Sequence, residues 1–283
     1  THPQRKEILM NDIITAIILG IVEGITEFLP ISSTGHLILT GNYLKFIGEK
    51  ANAFEIFIQL GAILAVLIYF YKRILRLIKS LFGKSIIVSG GLSQNVAWRF
   101  TIGIGIAFIP SAVLGLLFHE IIEDKLFTPR VVAIALIVGG IGILFIERFF
   151  KKSKVHVMEQ TNWLQSFWIG VAQCLALIPG MSRSASTIMG ARILGLDAAS
   201  AAEFSFFLAI PTLFAATIYS LLKVISTLSS TDAMIFGIGF FVSFVVAWIV
   251  IAGFMAFIKR HSFIVFGWYR IILGIIVLII LGR

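Results

Sequence analysis

Apolar residues run along this chain in long blocks, not in the short alternations of strands or the one-sided stripes of surface helices. A helix needs about 20 mostly apolar residues to cross the hydrocarbon of a bilayer. Six stretches meet or nearly meet that length: 54–71, 100–118, 131–146, 204–222, 233–258 and 262–281. Two further apolar regions are broken. Residues 13–29 carry Glu23 and Glu27, then meet Pro30, Ser32, Ser33 and Gly35 before a shorter apolar run over 37–47. Residues 163–178 meet Pro179, Gly180, Ser182, Arg183 and Ser184 before a second short run ending at Leu194. Each predicts a helix, a polar turn and a half-helix, the pattern of a re-entrant hairpin.

The broken regions occupy matching places. Gly20-Ile21-Val22-Glu23 and Gly170-Val171-Ala172-Gln173 open them, 150 residues apart, and Pro30 and Pro179 break them, 149 apart. Phe54-Glu55-Ile56-Phe57 and Glu203-Phe204-Ser205-Phe206 open the spans that follow, with the glutamates 148 apart. A nearly constant offset argues for an internal duplication. The expected fold is an all-α membrane protein with six transmembrane helices and two re-entrant helical hairpins, in a single membrane domain. Its first repeat covers 12–154 (hairpin 13–47, then three spans) and its second 160–283 (hairpin 163–195, then three spans). Three spans is an odd number, so the second half enters from the opposite side, giving an inverted repeat.

Composition supports lipid as the solvent. The chain is 59% hydrophobic and 13% charged, with a mean hydropathy of +1.02. Soluble domains hold about 45–50% apolar and about 25% charged residues. The surplus cannot be hidden in a soluble core of this size. A cytosolic enzyme, a disulfide scaffold and a nucleic-acid-binding domain are thereby excluded as leading readings. The net charge of +9 would suggest nucleic acid in a soluble chain; here the positive-inside rule accounts for it. Lys72, Arg73, Arg76, Lys79 and Lys84 follow the first span, Arg148, Lys151, Lys152 and Lys154 the third, and Lys259 and Arg260 the fifth. These loops fall on one face, read as cytoplasmic, with both termini outside; residues 120–130 on the other face are mixed in charge. A lipid-headgroup or partner site is the rival reading of the run at 72–84, although topology alone explains it. The single cysteine, Cys174, reads as a packed thiol. Residues 1–11 are polar and do not resemble a signal peptide.

Ionisable groups inside membrane segments are costly and point to function. Glu23 and Glu27 are four apart and share a helix face. Two adjacent carboxylates repel unless a cation lies between them, and Mg²⁺ typically takes one or two carboxylates plus phosphate oxygens. Metal binding or acid–base work is the functional reading; a pair facing water, or bonded to the other hairpin, is the plain one. In the turn Pro30-Ile31-Ser32-Ser33-Thr34-Gly35-His36, hydroxyls cap a new half-helix whose free N–H groups suit a phosphate. Ser33 and His36 are three apart, so the imidazole could activate a hydroxyl or meet phosphorus itself. The second turn, Pro179-Gly180-Met181-Ser182-Arg183-Ser184-Ala185-Ser186-Thr187, adds an arginine, the side chain suited to bidentate phosphate recognition. Snorkelling or a structural ion pair is the alternative for Arg183. If the hairpins meet near the midplane, Glu23, Glu27, Ser32, Ser33, Thr34, Gly35, His36, Ser182, Arg183, Ser184 and Thr187 form one polar pocket. Such a pocket fits a divalent cation and a phosphorylated group carried on something lipid-soluble.

Other residues have supporting or structural readings. Gln59, Glu55 and Glu203 are expected to hydrogen-bond around the site. His119 and His261 read as interfacial, and Arg192 and Asp197 as a pair. Gly103, Gly105, Gly139, Gly140, Gly142, Gly237 and Gly239 read as close helix contacts, and Pro110 and Pro211 as kinks.

With these residues in view, the chain resembles the undecaprenyl-diphosphate phosphatase family, the bacitracin-resistance type of bacterial integral membrane phosphatase. The resemblance rests on Glu23-Gly24-Ile25-Thr26-Glu27-Phe28-Leu29-Pro30, Ser32-Ser33-Thr34-Gly35-His36, Phe54-Glu55, Gln59-Leu60-Gly61, Pro179-Gly180-Met181-Ser182-Arg183-Ser184 with Thr187, and Glu203-Phe204-Ser205-Phe206. It covers nearly the whole chain, with no departure at the family's functional positions. It implies hydrolysis of undecaprenyl diphosphate to undecaprenyl phosphate and inorganic phosphate, recycling the lipid carrier of cell-wall synthesis. It also implies a divalent-cation requirement, the hairpin fold, and a site in the bacterial inner membrane that opens to the periplasmic face. Another class of lipid phosphatase shares a Ser-Gly-His turn but needs a further His followed by Asp, which this chain lacks after Ser182-Arg183.

The expected mechanism has Mg²⁺ or Ca²⁺ on Glu23 and Glu27, phosphate oxygens on Arg183 and the two turns, and Ser33 as first-choice nucleophile with His36 or a glutamate taking its proton. Attack by His36 or by water stays open. Membrane lipids and a polyprenyl diphosphate are the expected partners, with no nucleic acid, and glycine packing permits a homodimer. The rival is a polyprenyl phosphate transporter, since inverted repeats commonly carry substrates.

Overall fold

The computed structural model describes residues 2–82, 92–224 and 230–282. Lys84 lies outside the described residues, as do the side chains of His119, Glu123 and Asp124. The helices are α1 (His2–Thr26), α2 (Ser33–Leu44), α3 (Glu49–Tyr69), α4 (Tyr71–Phe82), α5 (Gln94–Leu126) and α6 (Pro129–Phe149), then α7 (Trp163–Gln173), α8 (Arg183–Ile193), α9 (Ala198–Val224), α10 (Ser230–Ile258) and α11 (Ile264–Leu281). No strand occurs among the described residues; Val155 and Leu196 form one isolated bridge. Among the described residues six helices are long and apolar enough to cross a membrane: Lys50–Tyr69, Gln94–Phe118, Pro129–Phe149, Ala198–Leu222, Ser230–Ile258 and Ile264–Leu281. They coincide with the six apolar blocks, and the chain is a multi-pass membrane protein.

Local chemistry sets most boundaries. Thr128 caps α6 by accepting from the Val131 amide at 3.3 Å, and Pro129 takes the first helical position, where its missing N–H costs nothing. Asn162 and Gln165 form a reciprocal capping box at the start of α7. Two segments expected as loops are helical. Residues 71–82 form α4, because charged and apolar residues there alternate with helical period, and α5 runs on to Leu126 through much of the mixed segment. Pro110 and Pro211 lie inside α5 and α9.

The two halves pack by exchange. α1 of the first half lies against α10 of the second, and α7 of the second against α5 of the first; α3 packs on α9 and α6 on α11. Glycines at matching positions permit the exchanged contacts. A Cβ on Gly20 would stand 2.8 Å from the carbonyl oxygen of Gly239, and one on Gly170 would stand 2.3 Å from that of Ala107. Such close backbone approach is how helices associate where lipid offers no hydrophobic drive. This arrangement is compatible with an inverted repeat. The core is a cluster of phenylalanines in which Phe28, Phe70, Phe100, Phe204, Phe206 and Phe207 meet at 5.1–6.1 Å, mostly edge to face.

On the face of the basic segments the halves are tied by charge. Arg73 of α4 donates to Glu159 at 2.6 and 2.7 Å and to Glu203 of α9 at 2.7 Å. Arg192 and Asp197 do not pair, contrary to expectation. Arg192 reaches Glu147 of α6 at 3.3 Å and the carbonyl of Leu196 at 3.0 Å, which occupies its donors. Asp197 instead starts α9, accepting from the Ser200 amide at 2.7 Å, and meets His156 at 3.0 Å. Burial pushes the Asp197 carboxyl up, but the hydrogen bonds from Ser200 and His156 outweigh it and hold the group below its ordinary range.

Candidate active site

Both broken helices restart in the same way. Ser32 has φ +74° and its hydroxyl accepts from the Gly35 amide at 3.2 Å; Ser182 has φ +72° and accepts from the Ala185 amide at 3.1 Å. Positive φ in a non-glycine residue costs about 1–3 kcal/mol and persists only where the surroundings over-determine it. In both turns the cap and the packed helices supply that constraint. The residue after each cap, Ser33 in one turn and Arg183 in the other, is the first of its half-helix.

These two residues converge on one carboxylate. Ser33 Oγ donates to Glu27 Oε2, and Arg183 Nη2 donates to Glu27 Oε1 at 2.7 Å. Arg183 is held from behind by a closed ring of hydrogen bonds. Its Nη1 donates to Ser205 Oγ at 3.2 Å, Ser205 meets Thr187 Oγ1 at 2.6 Å, and Thr187 donates to the Arg183 carbonyl at 2.9 Å. Thr187 has a single hydroxyl hydrogen, so Ser205 is the donor in the middle link. Ser184 donates to the carbonyl of Leu29 at 2.8 Å, which stitches α8 to the first turn.

Arg270 of α11 clamps both turns. Its side chain is fully buried and donates to Pro30 O at 3.3 Å, Met181 O at 3.0 Å and Gly180 O at 2.9 Å, and also to Ala135 and Leu136 of α6. The guanidinium passes over Gly139, where a Cβ would stand 2.1 Å from it. Gly180 is required twice over. Its φ is +96°, and a Cβ would stand 2.6 Å from the carbonyl oxygen of Val132.

A cavity of about 390 Å³ opens beside the turns. Glu27, Ser32, Ser33, Thr34, Gln59, Ser182 and Arg183 line its polar end, and Phe108, Ala112, Leu116, Leu177, Ala216 and Tyr219 continue it with apolar wall. Gln173 and Ser111 add a polar pair in that wall, at 2.5 Å. Glu23, one helical turn before Glu27, is fully buried, and among the described residues neither of its carboxylate oxygens has a hydrogen-bond partner.

The remaining expected residues stand further off. Gly35, Ser184 and Thr187 lie in the first turns of α2 and α8, behind the cavity wall. His36 is turned to α11: Nδ1 meets the Ser32 carbonyl at 2.7 Å, Nε2 meets Tyr269 Oη at 2.7 Å, and the two rings stack. Glu55 lies beside Gly41 of α2, and Glu203 pairs with Arg73 on the basic face; neither lines the cavity. Sequence reasoning missed Arg270, Tyr269 and the bonding role of Ser205. A lone arginine within an apolar span was a readable signal. Tyr269 carried none, and Ser205 was marked only as part of Glu203-Phe204-Ser205-Phe206.

The class is thus defined as an all-helical membrane protein whose paired helix breaks place serine, arginine and carboxylate at the head of an apolar cavity. The chain belongs to the family described as bacitracin resistance protein BacA, whose family model matches residues 16–276. Among curated relatives, the undecaprenyl-diphosphatase of Caldanaerobacter subterraneus subsp. tengcongensis is 50% identical over 275 residues, covering 97% of this chain and 98% of its own. That of Ectopseudomonas mendocina is 50% identical over 93% and 92% of the two chains, and that of Nitrosomonas europaea 49% identical over 94% of each.

Proposed function

We propose that this chain hydrolyses undecaprenyl diphosphate to undecaprenyl phosphate and inorganic phosphate. The relatives' names supply the substrate, and the cavity suits it, with a charged head for the diphosphate and an apolar wall for the first prenyl units. The observation that carries the mechanism is the convergence of Ser33 and Arg183 on Glu27. Glu27 draws the Ser33 proton as Oγ attacks the terminal phosphorus. The bond from phosphorus to the bridging oxygen breaks, and undecaprenyl phosphate leaves. Glu27 passes the Ser33 proton to the departing bridging oxygen; water then attacks the phosphoserine and gives a proton to Glu27, which returns it to Ser33 Oγ as the Oγ–phosphorus bond breaks and inorganic phosphate departs. Arg183 and the N-terminal amides of α2 and α8 stabilise the charge on the transferring group. Ser33 is favoured over His36 as nucleophile because both imidazole nitrogens already have partners.

We read Glu23 and Glu27, one helical turn apart, as hard oxygen donors of the kind a divalent cation takes. A buried carboxylate with no hydrogen-bond partner is costly, which favours a counter-ion at Glu23. Mg²⁺ or Ca²⁺ would be held by Glu23 and Glu27 and would neutralise the diphosphate. The site is read as lying in the bacterial inner membrane and opening to the face opposite the basic segments. No observation favours the alternative of a polyprenyl phosphate transporter. Phosphate release from a polyprenyl diphosphate by purified protein in detergent, with and without a chelator, is the test. Activity lost in Ser33→Ala and suppressed by chelation is expected; full activity in Ser33→Ala overturns the serine route, and chelator-resistant turnover overturns the cation.

A further inference from the structure

Topology explains why the segment after the first span is basic, but not why it is a sorted helix. In α4, Tyr71, Leu75, Ile78 and Phe82 recur every three or four residues and form one exposed stripe, with Leu75 49% and Phe82 81% exposed. Ile74 and Leu77, beside the stripe, pack against the protein core. Lys72, Arg76 and Lys79 stand exposed along its other flank and make no ion pair among the described residues. Arg73 alone turns inward, to Glu159 and Glu203.

The helix is fastened at both ends to one face of the molecule. Arg73 ties its start to Glu203, near the beginning of α9, and to Glu159, just before α7. Gln94, the first residue of α5, donates to the Leu81 carbonyl at 3.2 Å and ties its end. A 12-residue helix spans about 18 Å, so α4 runs along the basic face rather than into the hydrocarbon or away into water. Neither bulk phase suits it. Water disfavours the apolar stripe, and hydrocarbon disfavours three cations that make no ion pair among the described residues. The headgroup–acyl boundary accommodates both. The sequence over 83–91 adds no acidic side chain, and anionic phospholipid headgroups at a membrane surface supply the matching counter-charge.

We propose that α4 is an interfacial helix that seats its Tyr71–Leu75–Ile78–Phe82 stripe at the acyl boundary and binds anionic phospholipid headgroups through Lys72, Arg76 and Lys79. This is independent of the phosphatase reading. The test places single nitroxide labels at Leu75→Cys, Phe82→Cys and Ser80→Cys in a Cys174→Ser background. The protein is reconstituted in nanodiscs of phosphatidylcholine alone or mixed with phosphatidylglycerol, and accessibility to a water-soluble nickel complex is compared with accessibility to oxygen. The expected nickel-to-oxygen ratio at 75 and 82 is several-fold lower than at 80. Phosphatidylglycerol should lower it further, and the triple variant Lys72→Gln/Arg76→Gln/Lys79→Gln should cancel that shift while keeping detergent activity. Labels at 75 and 82 as nickel-accessible as the label at 80 overturn the interfacial placement. Depth that ignores both phosphatidylglycerol and the triple substitution overturns the anionic-lipid contact.

Discussion

Ser33 and Arg183 occupy the same place in two different turns, each the first residue after a positive-φ serine cap, and each holds one oxygen of Glu27. The caps repeat while the chemistry does not. A hydroxyl stands at one helix start and a guanidinium at the other, so in the proposed mechanism Glu27 serves both as proton acceptor and as partner of the phosphate-binding group.

Replacing Glu27 by Gln keeps the shape of the group but removes its basicity and its charge. Phosphate release is expected to fall by on the order of 100-fold or more, the usual worth of a positioned base. Arg183→Lys retains charge but loses the fork that spans Glu27 and Ser205, and should also lose activity, chiefly in kcat. Steady-state assays in detergent check both; near-native kcat in Glu27→Gln removes the carboxylate from the chemistry.

Arg270→Met leaves buried carbonyls of both turns without their donor. Each unsatisfied buried group costs about 1–3 kcal/mol, so a large fall in Tm is expected together with loss of activity. Tyr269→Phe removes only the partner of His36 and should cost about 1 kcal/mol. Thermal unfolding of both variants in one detergent ranks them, and equal losses contradict the clamp.

Gly170 and Gly105 make a controlled pair. A Cβ at Gly170 would stand 2.3 Å from the Ala107 carbonyl oxygen, whereas one at Gly105 meets nothing within 4 Å. Gly170→Ala should therefore lower Tm by prying α7 from α5. Gly105→Ala should be neutral or stabilise by up to about 1 kcal/mol through helix propensity.

Asp197 lies outside the spanning segments, and its carboxyl is held below its ordinary 3.8. A depressed folded value adds stability that is fully present above the unfolded value and lost as pH falls through the folded one. The Tm advantage of the wild type over Asp197→Asn should be steady above that point and close as pH drops below it. An advantage that widens in acid reverses the assigned sign.

The spans were readable because hydrophobic length is a bulk property that survives any packing arrangement. The turns were readable because Pro30 and Pro179 interrupt that length beside hydroxyls. Convergence of Ser33 and Arg183 was foreseeable only as a consequence of hairpins meeting. The orientation of His36 was not, since three-residue spacing from Ser33 does not say that Tyr269, 233 positions away, takes its ring. α4 was hidden for a related reason. Charge marked the segment as the end of a span, and only a helical period displayed on a folded surface turned it into a face.

The Arg270 clamp also has a consequence for biosynthesis. The guanidinium and the Pro30 carbonyl it binds are separated by 240 positions, and α11 is the last helix of the described chain to leave a ribosome. Until it inserts, the two turns can be made and capped but not joined from behind. Joining of the two turns therefore waits for α11, and a chain arrested before it would carry both turns without the brace that sets them in register.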